Sequence, residues 1–246
     1  MSIRVPAPME SRGLEPKNRL LAVLPDRDFL VLRPHLEAVP LSRGSVLFDT
    51  DEPLRRLYFP EAGVAALLTT LESRAVGVAA VGHEGVVDVH TLLLGGETSL
   101  GRCQVLVPGS ALVMEVSWFR DALEGSPTLR AACEAYTRAL LVQMLQAVPC
   151  NRLHTVEQRC ARWLLMCADR MADDTFEVTR QGLAQMLGVA QPTLTIVVRK
   201  LQSEDLIRYR RSAITIVDRR GLEKVACECY RMVRNRYRQL PAHTCG

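Results

Sequence analysis

Thr179–Ile207 reads TRQGLAQMLGVAQPTLTIVVRKLQSEDLI, and its apolar spacing predicts two short helices that meet at a glycine. Thr179 stands where a cap is needed, and Leu183, Met186 and Leu187 form the inner face of the first helix. Gly188 supplies the backbone freedom of a sharp turn. At roughly 100° per residue, the second helix gathers Leu194, Val197, Val198 and Leu201 on one side. Pro192, Ile196, Arg199 and Ser203 face the other way, with Thr195 at the edge. Pro192 is acceptable there because first-turn amides have no intrahelical partner.

Downstream, DLIRYRRSAITIVD (Asp205–Asp218) predicts two short strands around an arginine-rich turn. Helix, tight turn, helix and basic hairpin together form the layout of a winged helix-turn-helix. Upstream, TVEQRCARWLLMCADRM predicts an amphipathic helix, with Cys160 and Cys167 beside Trp163 and Leu164 as small core hydrophobes. The C-terminal stretch reads as a helix capped by Asp218, with Leu222, Val225, Ala226, Cys229, Val233 and Leu240 along one stripe.

Residues 126–148 predict a longer helix, with Ser126 as cap and Pro127 in its first turn. Leu129, Cys133, Tyr136, Leu140, Gln143 and Ala147 fit a heptad. Leu141, Met144, Leu145 and Val148 widen the apolar face. Such a helix can pack on its own domain and on a second copy of itself, or be a buried helix of a monomer. Pro149 is expected to stop it, making Val148–Arg152 a hinge. From Leu41 to Val116 the pattern is of short strands. GRCQVLVPGSALVMEV is read as two of them joined by a turn at Pro108-Gly109.

The 246 residues carry a net charge of +4, distributed unevenly. Residues 1–125 hold 12 Lys/Arg against 16 Asp/Glu, and residues 126–246 hold 19 against 11. An acidic front half and a basic back half point to a polyanionic partner for the back half alone. No apolar run approaches the ~20 residues that cross a bilayer, and the N-terminus has no signal core, so a cytoplasmic location without membrane contact is expected. The eight cysteines are expected to be structural thiols, with Cys245 the most exposed. Cys227 and Cys229 are not expected to chelate, since residues two apart on a helix point roughly 200° from each other. No metal site and no catalytic constellation is expected: Walker loop, nucleophile elbow and paired-histidine motif are all absent.

The run TRQGLAQMLGV, followed by Thr193, Val197, Lys200-Leu201-Gln202 and Leu206-Ile207, resembles the DNA-binding domain of the Crp/Fnr family of bacterial regulators. The order of elements is similar from about Asn18 to Leu240. The resemblance implies an α+β chain: a flexible tail over 1–16, a cyclic-nucleotide-binding-like β-roll over 17–125, a dimerisation helix and hinge over 126–155, and a winged helix-turn-helix over 156–246. It implies a homodimer on two-fold-related double-stranded DNA, with RNA polymerase as a further partner. The dimer interface is then the heptad of Leu129, Cys133, Tyr136, Leu140, Gln143 and Ala147, where Cys133 could cross-link two chains.

The family's guanine-reading arginines are replaced by Gln191 and Ile196, and its acidic neighbour by Pro192. Base reading therefore falls to Gln191, Pro192, Thr195, Ile196 and Arg199, with Ile196 suited to a thymine methyl. Phosphate contacts fall to Thr179, Arg180, Gln181 and Thr193, and to Arg208, Arg210 and Arg211 of the wing. In the β-roll, Glu84 and Arg102 mark a possible effector pocket. Their separation of 18 residues is too long for the family's cyclic-nucleotide segment, so no cofactor is expected. The cysteine cluster of the iron–sulfur branch is missing, since no cysteine precedes Cys103. His83 and His90 are the candidates for a haem ligand, which is not expected. The alternative is a ligand- or redox-sensing module whose helix-turn-helix contacts protein.

Overall fold

The computed structural model describes residues 15–71 and 74–240; most of the tail expected over 1–16, and Cys245, lie outside them. After two short helices, α1 (Arg19–Ala22) and α2 (Asp26–Leu32), come β1 (Glu37–Leu41), β2 (Val46–Phe48), β3 (Arg56–Leu71) and β4 (Arg74–Val81). A short α3 (Val89–Leu93) then leads to β5 (Arg102–Glu115). All pairings are antiparallel, in the order β1-β5-β3-β4 with β2 also on β5. Leu57, Phe59, Val64 and Val81 are fully buried and anchor this roll.

The turn expected at Pro108-Gly109 is not there, because β5 runs through it as one strand. The register against β3 slips near Ala62 and Val64 instead. A Cβ on Gly63 would meet the Val107 carbonyl oxygen at 2.7 Å, and one on Gly109 would collide with Ala62. Two glycines at a strand crossing thus absorb a bulge where Pro108 has no amide to pair.

α4 (Val116–Gly125) leads into α5 (Pro127–Leu153). Ser126 caps α5 as expected, its Oγ accepting from the Leu129 amide at 3.0 Å and donating to Asp28 at 2.7 Å. Pro149 does not end the helix, which continues to Leu153. The chain breaks at His154, and Thr155 opens α6 (Val156–Ala168) with a capping box to Gln158. The hinge therefore lies about one turn beyond its expected place.

The C-terminal half continues with β6 (Thr175–Glu177), α7 (Arg180–Leu187), α8 (Gln191–Ser203), β7 (Ile207–Arg210) and β8 (Ala213–Ile216). The three strands form a small sheet ordered β6-β8-β7. Thr179 caps α7 through the Gly182 amide at 2.9 Å, and Gly188 turns the chain with φ of +64°. The single C-terminal helix expected from the stripe is two, α9 (Arg219–Val225) and α10 (Cys229–Arg238), because Ala226 is extended.

The two halves share one apolar cluster, running from Leu20 and Phe59 to Leu194, Ile214 and Tyr237. At its polar centre Arg170, just past α6, reaches Glu84 of the roll at 2.7 Å. It also donates to the carbonyls of Met166 at 2.8 Å and Ala80 at 3.3 Å, and to Gln143 of α5 at 3.3 Å. The flanking Glu84 carboxylate pushes the Arg170 guanidinium above its ordinary range against the opposing effect of burial. Arg170→Met would leave the Glu84 charge buried without its partner, a loss expected to cost about 3–5 kcal/mol. Denaturant unfolding measures it, and a loss below about 1 kcal/mol would show that the pair does not hold the halves together.

Candidate nucleic-acid interface and the cysteine cluster behind it

α8 has a buried face and a free one. Leu194, Val198 and Leu201 are buried, while Gln191, Pro192, Thr193, Ile196 and Arg199 are exposed. Ile196 stands 69% exposed, an apolar side chain with nothing of its own protein to cover it. Thr195 is half-buried, its hydroxyl donating to the Gln191 carbonyl at 2.9 Å. Ala190 precedes α8 without a side-chain cap, so the first amides of the helix remain open to an anion.

The wing holds Arg208 and Arg210 two residues apart on the same side of β7, both exposed. Arg211 and Ser212 turn the hairpin with φ of +47° and +74°, the paired left-handed geometry of a two-residue turn that usually takes Asn-Gly. Tyr209, between Arg208 and Arg210 in sequence, is a structural strut. Its amide donates to Gln202 of α8 at 2.8 Å and its hydroxyl to the Val178 carbonyl at 3.0 Å. Arg180 stacks over its ring at 5.0 Å, which ties the start of α7 to the wing.

α7 lies against the roll. A Cβ on Gly77 of β4 would come within 2.9 Å of the Met186 Cα, and one on Gly188 within 3.1 Å of Val76. Thr179 and Gln181 line a groove shared with Arg43, Gln104 and Leu106. Two of the expected phosphate residues thus face the roll, and Gln191 at the start of α8 lines a second groove with Ala75 and Val76 of β4, while Ile196 remains open.

The expected effector pair is not brought together. Glu84 is buried on Arg170, and Arg102 is half-exposed on Asp49 at 3.1 Å. His90 is buried beside Asp88 at 3.5 Å, and His83 sits at 3.3 Å from the Arg170 carbonyl. A cavity of about 230 Å³ lies over the Glu84–Arg170 pair, with Arg19, His83, Arg234 and Arg238 on its walls.

The expected dimer seam is also corrected. Leu129, Cys133, Tyr136, Leu140, Gln143 and Ala147 are all buried within the protomer. Tyr136 lies on Gly85 of the roll, Gln143 donates to the Ala80 carbonyl at 3.1 Å, and α10 packs along the same helix. Burial lifts the Cys133 thiol to about 12, which removes it from easy oxidation. The heptad is real, but the chain covers it with its own roll and with α10. The large apolar residues left outside on α5 are Leu141, Leu145, Val148 and, at its last position, Leu153.

Sequence reasoning missed a further constellation. The buried stripe of α5 continues at the same spacing to Cys150 and His154. The break between α9 and α10 brings Cys227 and Cys229 to the same place. Cys150 Sγ lies 3.6 Å from Cys227 Sγ, and Cys229 Sγ lies 3.6 Å from His154 Nδ1. All four candidate donor atoms fall within 4.8 Å of one another. The argument against chelation assumed a helix through Cys227 and Cys229. Here the chain is extended at Ala226, and α10 begins at Cys229. Cys150 and Cys227 share one hydrogen bond in which either thiol can donate, and this bond with the Arg162 charge holds the Cys150 thiol down to about 5 against burial. The same bond pushes Cys227 up.

Residues 158–225 match the Crp-like helix-turn-helix domain family. The C-terminal half therefore holds a Crp-like helix-turn-helix domain. No curated protein matches the chain in sequence. Among solved structures it is similar to FixK2 from Bradyrhizobium japonicum at 16% identity and a TM-score of 0.67, covering 78% of this chain and 98% of that one. It is similar to the c-di-GMP-responsive global regulator CLP from Xanthomonas campestris at 16% identity and a TM-score of 0.63, covering 79% and 100%. CooA from Carboxydothermus hydrogenoformans, as a mutant, gives 12% identity and a TM-score of 0.56 over 78% and 88%. Over about four-fifths of its length the chain thus has the fold of the Crp/Fnr regulators, with a Crp-like helix-turn-helix domain in its C-terminal half.

Because α7 of that domain touches bare backbone on β4, a side chain at Gly77 acts as a wedge. Gly77→Val is expected to separate the halves and enlarge the radius of gyration in solution scattering. An unchanged radius would mean that the contact yields without releasing α7.

Proposed function

We propose that this chain is a homodimeric transcription regulator that reads two-fold-related double-stranded DNA with α8 and grips phosphates with its wing. The observation that carries the reading is the free face of α8, with Gln191, Pro192, Ile196 and Arg199 uncovered beside an exposed Arg208, Arg210 and Arg211. Ile196 supplies apolar contact for a thymine methyl, and Gln191, Thr195 and Arg199 supply hydrogen bonds to base edges. Arg180, Thr179, Gln181, Thr193 and the wing arginines hold phosphates. Few charged base contacts make this a reader of methyl groups and groove shape.

The β-roll is the regulatory half in this reading. It holds α7, and with it Thr179 and Gln181, so DNA engagement and release from the roll are linked. An effector seated in the cavity over Glu84 and Arg170 would act on that hold, meeting Arg19, Arg234 and Arg238 together with the Asp169 carboxylate on its walls. The DNA-bound dimer is proposed to form through Leu141, Leu145 and Val148, the uncovered face of the helix that Crp/Fnr regulators use for dimerisation. Activity as an enzyme is not part of this reading.

Selection of binding sites from random oligonucleotides, followed by titration at two salt concentrations, tests the proposal. An enriched two-fold-related motif supports it, and absence of enrichment with and without small-molecule anions overturns it. On the selected site, Ile196→Ala is expected to lower discrimination against random DNA by roughly tenfold, the scale of one base contact. Arg210→Ala should weaken every sequence alike and reduce the salt slope by about 1. The reverse pattern would exchange the two roles. Leu145→Glu, at a position 70% exposed, should yield folded monomers in light scattering. A dimeric variant would place the interface elsewhere.

A further inference from the structure

We propose that Cys150, His154, Cys227 and Cys229 form a tetrahedral site for one divalent, thiophilic metal ion of the zinc class, clipping the end of α5 to the α9–α10 junction. The separations carry the argument. Zn–S bonds of about 2.3 Å in a tetrahedron place neighbouring sulfurs about 3.8 Å apart. The Cys150–Cys227 and Cys229–His154 separations are both 3.6 Å. With four donors inside 4.8 Å, there is room for a single ion and too little for a cage of several irons, whose ligands stand farther apart. Three thiolates and an imidazole are a closed structural set, without the open position that a catalytic metal keeps.

The surroundings fit a bound ion as well. His154 turns Nδ1 to the sulfurs while Nε2 lies 3.2 Å from the Glu228 carboxylate, the outer partner that orients a ligating histidine. Gln146 donates to Cys229 Sγ at 3.2 Å. Three thiolates around a dication leave one negative charge. Arg162, 2% exposed, acts on Cys150 by its charge, and its Nε finds no hydrogen-bond partner among the described residues. On binding, each thiol proton displaced by the metal leaves to solvent. No electrons move.

The site ties residues on opposite sides of the hinge at His154–Thr155, with Cys150 ending the long helix and Cys227 and Cys229 closing the DNA-binding half. Its occupancy would fix how the winged domain stands on α5.

The test uses the full chain, reduced and stripped by a chelator, and titrated anaerobically with Co²⁺ and then Zn²⁺. The expected result is one Co²⁺ per chain with the visible bands of a tetrahedral thiolate site, bleached on Zn²⁺ addition. Cys229→Ser and His154→Ala should abolish the bands while circular dichroism stays native. Glu228→Gln, which removes an exposed outer partner and no ligand, should weaken Zn²⁺ binding by roughly 10–100-fold. If the ligand variants fail to fold, Glu228→Gln alone decides, and unchanged affinity overturns the site. Absence of tetrahedral bands in the reduced wild-type chain, or bands that survive both ligand variants, also overturns it.

Discussion

Arg170 carries a positive charge into the centre of the molecule, where an unpaired ion would cost several kcal/mol. It is tolerated because three parts of the chain converge on it: Glu84 and Ala80 from the roll, Gln143 from α5 and Met166 from α6. A planar guanidinium with several fixed donors matches such a socket, which the point charge of a lysine would not. The partners are satisfied together in one docking register. The apolar cluster shared by the two halves supplies adhesion, and the arginine adds a polar constraint on how they can meet. Gly82 and Gly85 keep the approach clear, the one beneath Arg170 and the other beneath Tyr136.

The parts of the fold that were legible in sequence are those whose signals are local. Thr179, Gly188 and the spacing of Leu194, Val198 and Leu201 specify a cap, a turn and a buried face within a few residues. The wing was legible for the same reason. Pro108-Gly109 and Pro149 misled because a proline rule describes an isolated segment. In the folded chain, one proline sits at a bulge that needs no amide, and the other lies in a helix held by packing on α10 and the roll. The stripe from Leu129 to Ala147 was read correctly as apolar and assigned to the wrong neighbour. A stripe records that something covers it, but not whether the cover is a second copy or the same chain some 90 residues on.

The candidate site shows the same division. The outward residues of α8 follow from helical phase and those of the wing from the hairpin pattern, and all but the half-buried Thr195 emerge on the surface. Arg170 could not, since nothing around it in sequence points to Glu84, 86 positions earlier. The cysteine cluster is not legible because Ala226 is extended and Cys227 lies between the two helices, so the helical phase that argues against chelation does not apply. A single extended residue in a run of helix formers has no strong sequence mark.

The joint between the halves is made of glycine against side chain: Gly77 under Met186, Val76 under Gly188, Gly85 under Tyr136. Such a joint works by shape. Its Glu84–Arg170 ion pair is buried, where dissolved ions screen little, whereas the Arg43–Glu177 pair that also crosses it is exposed and is screened as salt rises. Ionic strength therefore reaches the exposed pair first and the buried one last. As salt rises, the two halves are expected to keep their register through Arg170, Glu84 and the glycine contacts, which are out of reach of dissolved ions.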